Sequence, residues 1–140
     1  MTTSLSAKAR DKLMKVSTAT ISTALFKVGL KNQFIQDVRP VSPKPRNMVG
    51  QAYTLRYIPA REDLNPLSVF QDPTHPQRVG VEEIPPGHVM IIDSRKDPRA
   101  ASAGSILVTR MMKRGVAGVV TDGGFRDAPE IGKMDIPTYH

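Results

Sequence analysis

The chain has 140 residues, no cysteine and a formal net charge of +7. Its length suits one domain with a buried core, and 39% hydrophobic with 24% charged residues is typical of a globular protein. The lack of cysteine excludes disulfides, thiolate metal sites and cysteine nucleophiles. No apolar run has the length of a membrane span or the character of a signal peptide. We therefore expect a cytoplasmic protein without a membrane partner.

The positive charge does not by itself indicate nucleic-acid binding. The basic residues are spread over groups at 8–15, 44–46 and 110–114, and no tract of five or more occurs. Three tyrosines, four phenylalanines and no tryptophan offer few platforms for stacking bases. A solvated basic surface explains the charge better, so no nucleic-acid partner is expected.

The first half of the chain predicts two helices, a strand and a long loop. Apolar residues at helical spacing predict helices over residues 6–16 and 18–28, the second one capped by Gly29. Its inward face is expected to consist of Ile21, Ala24, Leu25 and Val28. Composition between two prolines predicts a strand over 46–58, and a polar, proline-rich loop follows over 59–78. A short helix is expected over 77–84.

The second half predicts a strand, a helix and another strand. Residues 88–93 (HVMIID) and 116–122 (VAGVVTD) have the composition of buried strands. Residues 103–114 are typical of a helix with a basic last turn, which Gly115 ends. Such a βαβ crossover makes its two strands parallel. The predicted fold class is α/β, with a mixed sheet and flanking helices.

This geometry brings distant residues to one edge of the sheet. The helix runs antiparallel to the strand that follows it, so its first residues, 104–107, lie beside the turn at 122–127. Asp93, at the end of the preceding strand, points to the same edge. Ligand sites of α/β proteins lie at the carboxyl ends of parallel strands. We therefore expect a functional site here.

The residue types at this edge match a small oxo acid and a metal. Free N–H groups at a helix start hold anions, and a guanidinium such as that of Arg126 grips a carboxylate. Asp122 or Asp127 could hold a hard cation, since one carboxylate with waters and substrate oxygens is a common Mg²⁺ site. The alternative is a solvated turn in which Arg126 and Asp127 form a local ion pair. Asp122 could also support the metal site without binding the metal, or be a turn-former that bonds its own backbone, which is the favoured interpretation.

The segment GSILVTRMMKRGVAGVVTDGGFRDAPEI (104–131) resembles the RraA-like family. This family contains metal-dependent 4-hydroxy-4-methyl-2-oxoglutarate/4-carboxy-4-hydroxy-2-oxoadipate aldolases and regulators of ribonuclease E activity. The similarity extends to VSTATISTALFKVGL, VRPVSPKPRNMVGQAYTLRY and EEIPPGHVMIIDS. It implies a swivelling β/β/α architecture for a single domain over 1–140, which we expect to be the N-terminal portion of a longer, C-terminally continued domain.

The resemblance also implies roles for named residues. Arg126 would bind the substrate carboxylate, and Asp127 would hold Mg²⁺ or Mn²⁺; these two are the expected catalytic pair. Backbone N–H groups would face the pyruvyl end of the substrate from Gly104, Ser105, Ile106 and Leu107. The family's lyases cleave a C–C bond to release pyruvate, and many also decarboxylate oxaloacetate. They form homotrimers or homohexamers with sites at the subunit interfaces.

Position 105 departs from the aldolase pattern. The aldolases carry an acidic residue there, thought to hold a water for proton transfer, whereas this chain has Ser105. A serine can hold a water but carries no charge, so substrate or rate is expected to differ. The rival function is that of a non-catalytic regulator which binds ribonuclease E or a helicase. The aspartate retained at position 127 favours the metal-dependent lyase.

Overall fold

The computed structural model describes residues 4–61, 63–99 and 101–140. Its helices are α1 Ala7–Leu13, α2 Thr18–Lys27, α3 Pro76–Glu83, α4 Ser105–Lys113 and α5 Ala128–Ile131, with one turn of 3₁₀ helix at Leu67–Gln71. Its strands are β1 Ala52–Arg56, β2 Val89–Asp93, β3 Ala101–Ala103, β4 Gly118–Thr121, β5 Gly124–Phe125 and β6 Thr138–Tyr139. None of the described helices is long and apolar enough to cross a membrane.

The main sheet has four parallel strands in the order β1-β2-β4-β6. Among the described residues, its antiparallel part is confined to an isolated bridge between Pro40 and Tyr139. A second, two-stranded parallel sheet pairs β3 with β5, and its register shifts between Ala101 and Ala103. The α/β class with flanking helices is confirmed. The sheet is almost purely parallel, because the pairs β1–β2, β2–β4 and β4–β6 are each joined through a helix rather than a hairpin.

The predicted βαβ unit is confirmed, and its packing follows from the sequence. Val89 to Ile92 pair in register with Gly118 to Thr121, and all four β4 residues are buried. Helix α4 buries Val108 and Met111, and each such side chain contributes about 1.5–3 kcal/mol when removed from water. Gly115 follows the helix at φ +78°, a conformation that suits glycine. This turn reverses the direction of the chain after α4, so that β4 runs parallel to β2.

The core lies between the main sheet and the helices α3, α4 and α5. Its buried members include Val81 and Ile84 around α3, Met90 and Ile92 in β2, Val119 in β4, and Ile131 and Ile136 near the end of the chain. Helix α3 agrees with the short helix predicted over 77–84 and begins one residue earlier, with proline at its first position. This core positions β2 and β4, whose carboxyl ends form the edge described below.

The N-terminal helices form as predicted but bury little. Ser6 and Ser17 cap α1 and α2 by accepting the N–H groups of Ala9 and Thr20. Neither helix contains a buried residue. The predicted inward face of α2 is wrong in part, because Ala24 is exposed and Val28 is 72% exposed. The reason is that α2 lies outside the core cluster. The predicted strand over 46–58 is shorter, at Ala52–Arg56.

Candidate active site

The helix start and the turn after β4 meet at the carboxyl edge of the sheet, as predicted. The Ser105 N–H and hydroxyl both donate to Asp127 Oδ2, at 3.2 Å and 3.0 Å. The Arg126 N–H donates to the carbonyl of Ala103 at 3.0 Å, which extends the pairing of β3 with β5. These bonds join the first turn of α4 to the Arg126–Asp127 pair. We call this edge the rim, defined by residues 93–97, 104–107 and 121–127.

Asp127 is held in a defined and strained position. Its φ and ψ of 60° and 33° lie in the left-handed region, which costs roughly 1–2 kcal/mol for a residue with a side chain. Its carbonyl accepts the N–H groups of Glu130 and Ile131 and so starts α5. The Ser105 N–H, and next the Ser105 hydroxyl, lower the pKa of Asp127, and the nearby Arg126 charge acts in the same direction. The carboxylate is therefore ionised at neutral pH.

The two oxygens of Asp127 have different surroundings. Oδ2 accepts both Ser105 bonds, whereas Oδ1 accepts no hydrogen bond from the described residues. None of the ion pairs among the described residues joins Asp127 to Arg126, so the alternative of a local ion pair in a solvated turn is not formed. One oxygen is thus fixed and the other faces outward.

Gly104 leaves room for both functional side chains. A Cβ at this position would lie 3.3 Å from Asp127 Oδ2, and 3.5 Å and 3.6 Å from Arg126 Nη2 and Nε. The guanidinium therefore lies beside the start of α4. The N-cap residue Gly104 has no capping side chain, and Asp127 accepts only the first N–H of the helix, that of Ser105. The N–H groups of Ile106 and Leu107 have no partner among the described residues. An anion placed there would meet two backbone donors and a guanidinium.

The structure brings all six predicted residues to the rim. Gly104 is buried, Ser105 and Leu107 are half-buried, and Ile106, Arg126 and Asp127 are exposed. No cluster of three or more histidine, cysteine or acidic residues suited to a metal occurs among the described residues. Asp127 could offer one hard oxygen to a metal, because Oδ1 accepts no hydrogen bond from the described residues. This donor set fits Mg²⁺ or Mn²⁺, which commonly keep water and substrate oxygens as the remaining ligands.

Asp122 has a role that neither sequence interpretation contained. Its Oδ1 accepts the Ser94 N–H at 2.6 Å and its Oδ2 accepts the Lys96 N–H at 3.0 Å. It therefore binds the loop after β2 rather than its own backbone, and both of its oxygens are engaged. Asp93 ends β2 at the same edge, as predicted. The Arg95 N–H and the Arg56 side chain donate to it and are the main causes of its lowered pKa.

A buried cluster of three hydroxyls lies under the rim and was missed from the sequence. Ser102 Oγ lies 2.7 Å from Ser94 Oγ and 2.6 Å from Thr121 Oγ1, and all three residues are almost fully buried. Thr121 Oγ1 also accepts the Gly123 N–H at 3.0 Å. A Cβ on Gly123 would lie 2.7 Å from the Cβ of Ser94, so glycine is required for this contact. The cluster fixes the turn that carries Arg126 and Asp127.

The fold and the rim together define a class of α/β proteins. Their candidate site combines one carboxylate oxygen without a hydrogen bond, a guanidinium and a helix start with free N–H groups. Residues 18–140 match the family model RraA-like, described as Aldolase/RraA. The chain belongs to the RraA-like family.

Solved structures agree with this assignment. RraAS2 of Streptomyces coelicolor, described as an unusual member of the RNase ES inhibitor RraA protein family, is 27% identical with a TM-score of 0.76. The match covers 98% of this chain and 63% of that one. The RNA-processing inhibitor RraA from Thermus thermophilis is 24% identical with a TM-score of 0.63, over 90% of this chain and 66% of that one. An uncharacterized protein from Pseudomonas syringae pv. tomato is 20% identical with a TM-score of 0.78, and the match covers 98% of this chain and 57% of that one. This chain thus spans about two thirds or less of their lengths.

Proposed function

We propose that the rim is the active site of a divalent-metal-dependent lyase that releases pyruvate from a small 2-oxo acid. The reaction would be retro-aldol cleavage, oxaloacetate decarboxylation or both. The observation that carries the proposal is the Ser105–Asp127 contact, which fixes Oδ2 beside the start of α4, where the Arg126 guanidinium also lies, and leaves Oδ1 without a hydrogen bond among the described residues. A metal ligand next to an anion site matches a 2-oxo acid, whose carboxylate and 2-oxo oxygens lie on neighbouring carbons.

Each side chain has a distinct task in this proposal. Arg126 binds the substrate carboxylate, with the N–H groups of Ile106 and Leu107 as further donors. Asp127 Oδ1 would hold Mg²⁺ or Mn²⁺, which supplies Lewis-acid stabilisation of negative charge at the 2-oxo oxygen. When the C3–C4 bond breaks, its electron pair stays on the pyruvyl fragment. In retro-aldol cleavage the C4 hydroxyl would give up its proton to a water and become the carbonyl of the departing oxo acid, whereas in decarboxylation C4 leaves as carbon dioxide. A proton taken up at C3 then completes pyruvate.

Ser105 supports the metal ligand instead of supplying a charge. Its hydroxyl and N–H donate to the same oxygen of Asp127, which stabilises the ionised carboxylate and its orientation. The proton at C3 is therefore expected to come from a water at the rim, and not from a carboxylic acid at position 105.

The second candidate function is that of a non-catalytic regulator that binds a ribonuclease or a helicase. It is favoured by the descriptions of the Streptomyces coelicolor and Thermus thermophilis proteins as inhibitors in RNA processing. Such a regulator needs no metal and no free carboxylate oxygen. In either case we propose a homotrimer or homohexamer, the assembly that the family resemblance implies.

The test measures pyruvate released from oxaloacetate and from 4-carboxy-4-hydroxy-2-oxoadipate, with Mg²⁺ and then with a chelator. Asp127→Asn is the diagnostic variant, because asparagine tolerates the left-handed backbone and keeps one oxygen for the Ser105 bonds, whereas the charge and the second oxygen are lost. Asp135→Asn, an exposed aspartate paired with Arg46 away from the rim, is the matched control.

Metal-dependent pyruvate release that disappears in Asp127→Asn and persists in Asp135→Asn would support the lyase. Absence of turnover from a metal-loaded oligomer, together with a metal-independent complex with a ribonuclease, would establish the regulator instead. Equal turnover by Asp127→Asn and wild type would remove Asp127 from the metal site.

A further inference from the structure

The loop between β2 and β3 contains two adjacent residues in the left-handed region. Arg95 and Lys96 have φ of 61° and 56°, respectively. Each costs roughly 1–2 kcal/mol relative to ordinary backbone, and glycine would avoid that cost. Two consecutive long cationic side chains are an unfavourable choice for this conformation on local grounds. Strain of this kind concentrates at functional sites.

Carboxylates at the ends of two neighbouring strands hold this loop in place. Asp93 Oδ1 accepts the Arg95 N–H at 2.9 Å, and Asp122 accepts the N–H groups of Ser94 and Lys96. Three consecutive backbone donors are thus bound by two carboxylates. The loop conformation is imposed by the ends of β2 and β4 and does not depend on the side chains of Arg95 and Lys96.

The cationic side chains of Arg95 and Lys96 are not bonded to a carboxylate among the described residues, although the Arg95 charge contributes to the lowered pKa of Asp93. Both are exposed, and neither side chain forms an ion pair or hydrogen bond with the described residues. The acids nearest in sequence are occupied, since Asp93 pairs with Arg56 and Asp97 with Arg99. The strained loop therefore presents two positive charges to solvent at the rim.

The loop that carries these charges is tied to the turn that carries Arg126. Asp122 accepts the Lys96 N–H and lies four residues before Arg126. The Cα atoms of Asp122 and Arg126 are therefore no more than about 14 Å apart. Gly123 packs directly on Ser94, which keeps the loop against the turn. A small acid that has one carboxylate on Arg126 can present a second one to side chains as long as arginine and lysine.

We infer that Arg95 and Lys96 form a second anion subsite that binds the carboxylate remote from the pyruvyl end. The pair selects 2-oxo acids with a second carboxylate over those without one. The inference rests on the proposed function for the identity of the pyruvyl end. It assigns a specificity role to residues outside the Arg126–Asp127 pair.

The test compares binding of pyruvate and 2-oxoglutarate by isothermal titration calorimetry with Mg²⁺ present. The two ligands share the 2-oxo acid end and differ in the remote carboxylate. Wild type is expected to bind 2-oxoglutarate roughly tenfold more tightly, as for one charge-assisted hydrogen bond. The double variant Arg95→Gly/Lys96→Gly is expected to bind both ligands equally. The control Lys8→Gln/Lys12→Gln removes the same charge from α1 and is expected to keep the preference.

Thermal unfolding of the same proteins excludes a merely structural role. Glycine relieves the strain at both positions, so the double variant is expected to unfold at the wild-type temperature or above it. The exchange Arg95→Lys/Lys96→Arg, which keeps both charges, is expected to retain the preference. Equal affinities in wild type, or a preference that survives in Arg95→Gly/Lys96→Gly, would overturn the inference.

Pyruvate release measured on the same samples separates this inference from the proposed lyase. A retained preference for 2-oxoglutarate without any turnover would refute the lyase and leave the subsite in place. Turnover of oxaloacetate without any preference in binding would refute the subsite alone.

Discussion

Replacing Thr121 by valine tests the buried hydroxyl cluster under the rim. Valine keeps the shape of threonine but removes the oxygen that accepts the Gly123 N–H and lies 2.6 Å from Ser102 Oγ. Thr121 is fully buried, so water cannot replace the lost acceptor without moving the turn. The Gly123 N–H is then left without a partner. Ser102 keeps its bond to Ser94 at 2.7 Å.

The size of the effect follows from these contacts. An unsatisfied buried donor costs about 1–3 kcal/mol, and the additional methyl group returns less than about 1 kcal/mol. We expect Thr121→Val to lower the free energy of unfolding by about 1–2 kcal/mol. For a domain of this size that lowers the melting temperature by roughly 4–8 °C. Thr121→Ser keeps the hydroxyl, loses only a methyl group, and is expected to cost about 1 kcal/mol.

Urea titration monitored by circular dichroism measures both variants, with the slope against urea expected to stay unchanged. If Thr121→Val were as stable as wild type, the hydroxyl would contribute nothing to the turn. The reasoning about an orphaned Gly123 N–H would then be wrong. Thr121→Ser separates this outcome from a simple loss of packing.

Three further changes have expected outcomes. Gly50→Ala places a Cβ 2.3 Å from the carbonyl oxygen of Gly87. This clash should lower the free energy of unfolding, measured by urea titration, by at least about 2 kcal/mol. A variant as stable as wild type would contradict the clash. The Arg110 hydrogen bond lowers the pKa of Glu82 below 4.5, so its stabilisation is present above pH 4.5 and lost as pH falls through the lowered value. Glu82→Gln should reduce the loss of stability at acidic pH when the free energy of unfolding is measured against pH. An unchanged loss in this variant would contradict the role of Glu82. Burial raises the pKa of Tyr57 above 10.0, so stability is lost as pH rises beyond that value, and Tyr57→Phe should remove this loss in alkaline unfolding experiments.

The βαβ unit and the rim could be predicted because their causes are local. A buried apolar run ends at Thr121, a glycine ends α4, and strand and helix lengths then place Gly104 beside Asp127. The short strands β3 and β5 were missed, since three and two residues carry no readable periodicity. Their pairing depends on Arg126 bonding to Ala103, a contact between distant parts of the chain.

The hydroxyl cluster could not be predicted, and neither could the hydrogen bonds that hold the backbone of Arg95 and Lys96. Both depend on contacts between distant parts of the chain. Ser94, Ser102 and Thr121 are separated by 8 and 19 residues and meet only after β2, β3 and β4 are assembled. Asp122 resembled a turn-former because turn-formers bond residues close to them in sequence, whereas its partners lie 26 and 28 residues away. Exposure of Val28 likewise depends on where α2 docks, which its own periodicity does not determine.

The purely parallel pairing of the main sheet has a consequence for how the chain folds. Ala52 pairs with Val89, Val89 with Gly118, and Val119 with Thr138, so every strand pairing waits for a distant segment. The entropy of closing such large loops is lost before the contacts are gained, which slows folding. On the ribosome, β1 has no strand partner until β2 has been made, and β2 gains its second neighbour only after α4. Until then the nascent chain carries unpaired strand edges and two helices that bury nothing, the species most exposed to chaperones and proteases.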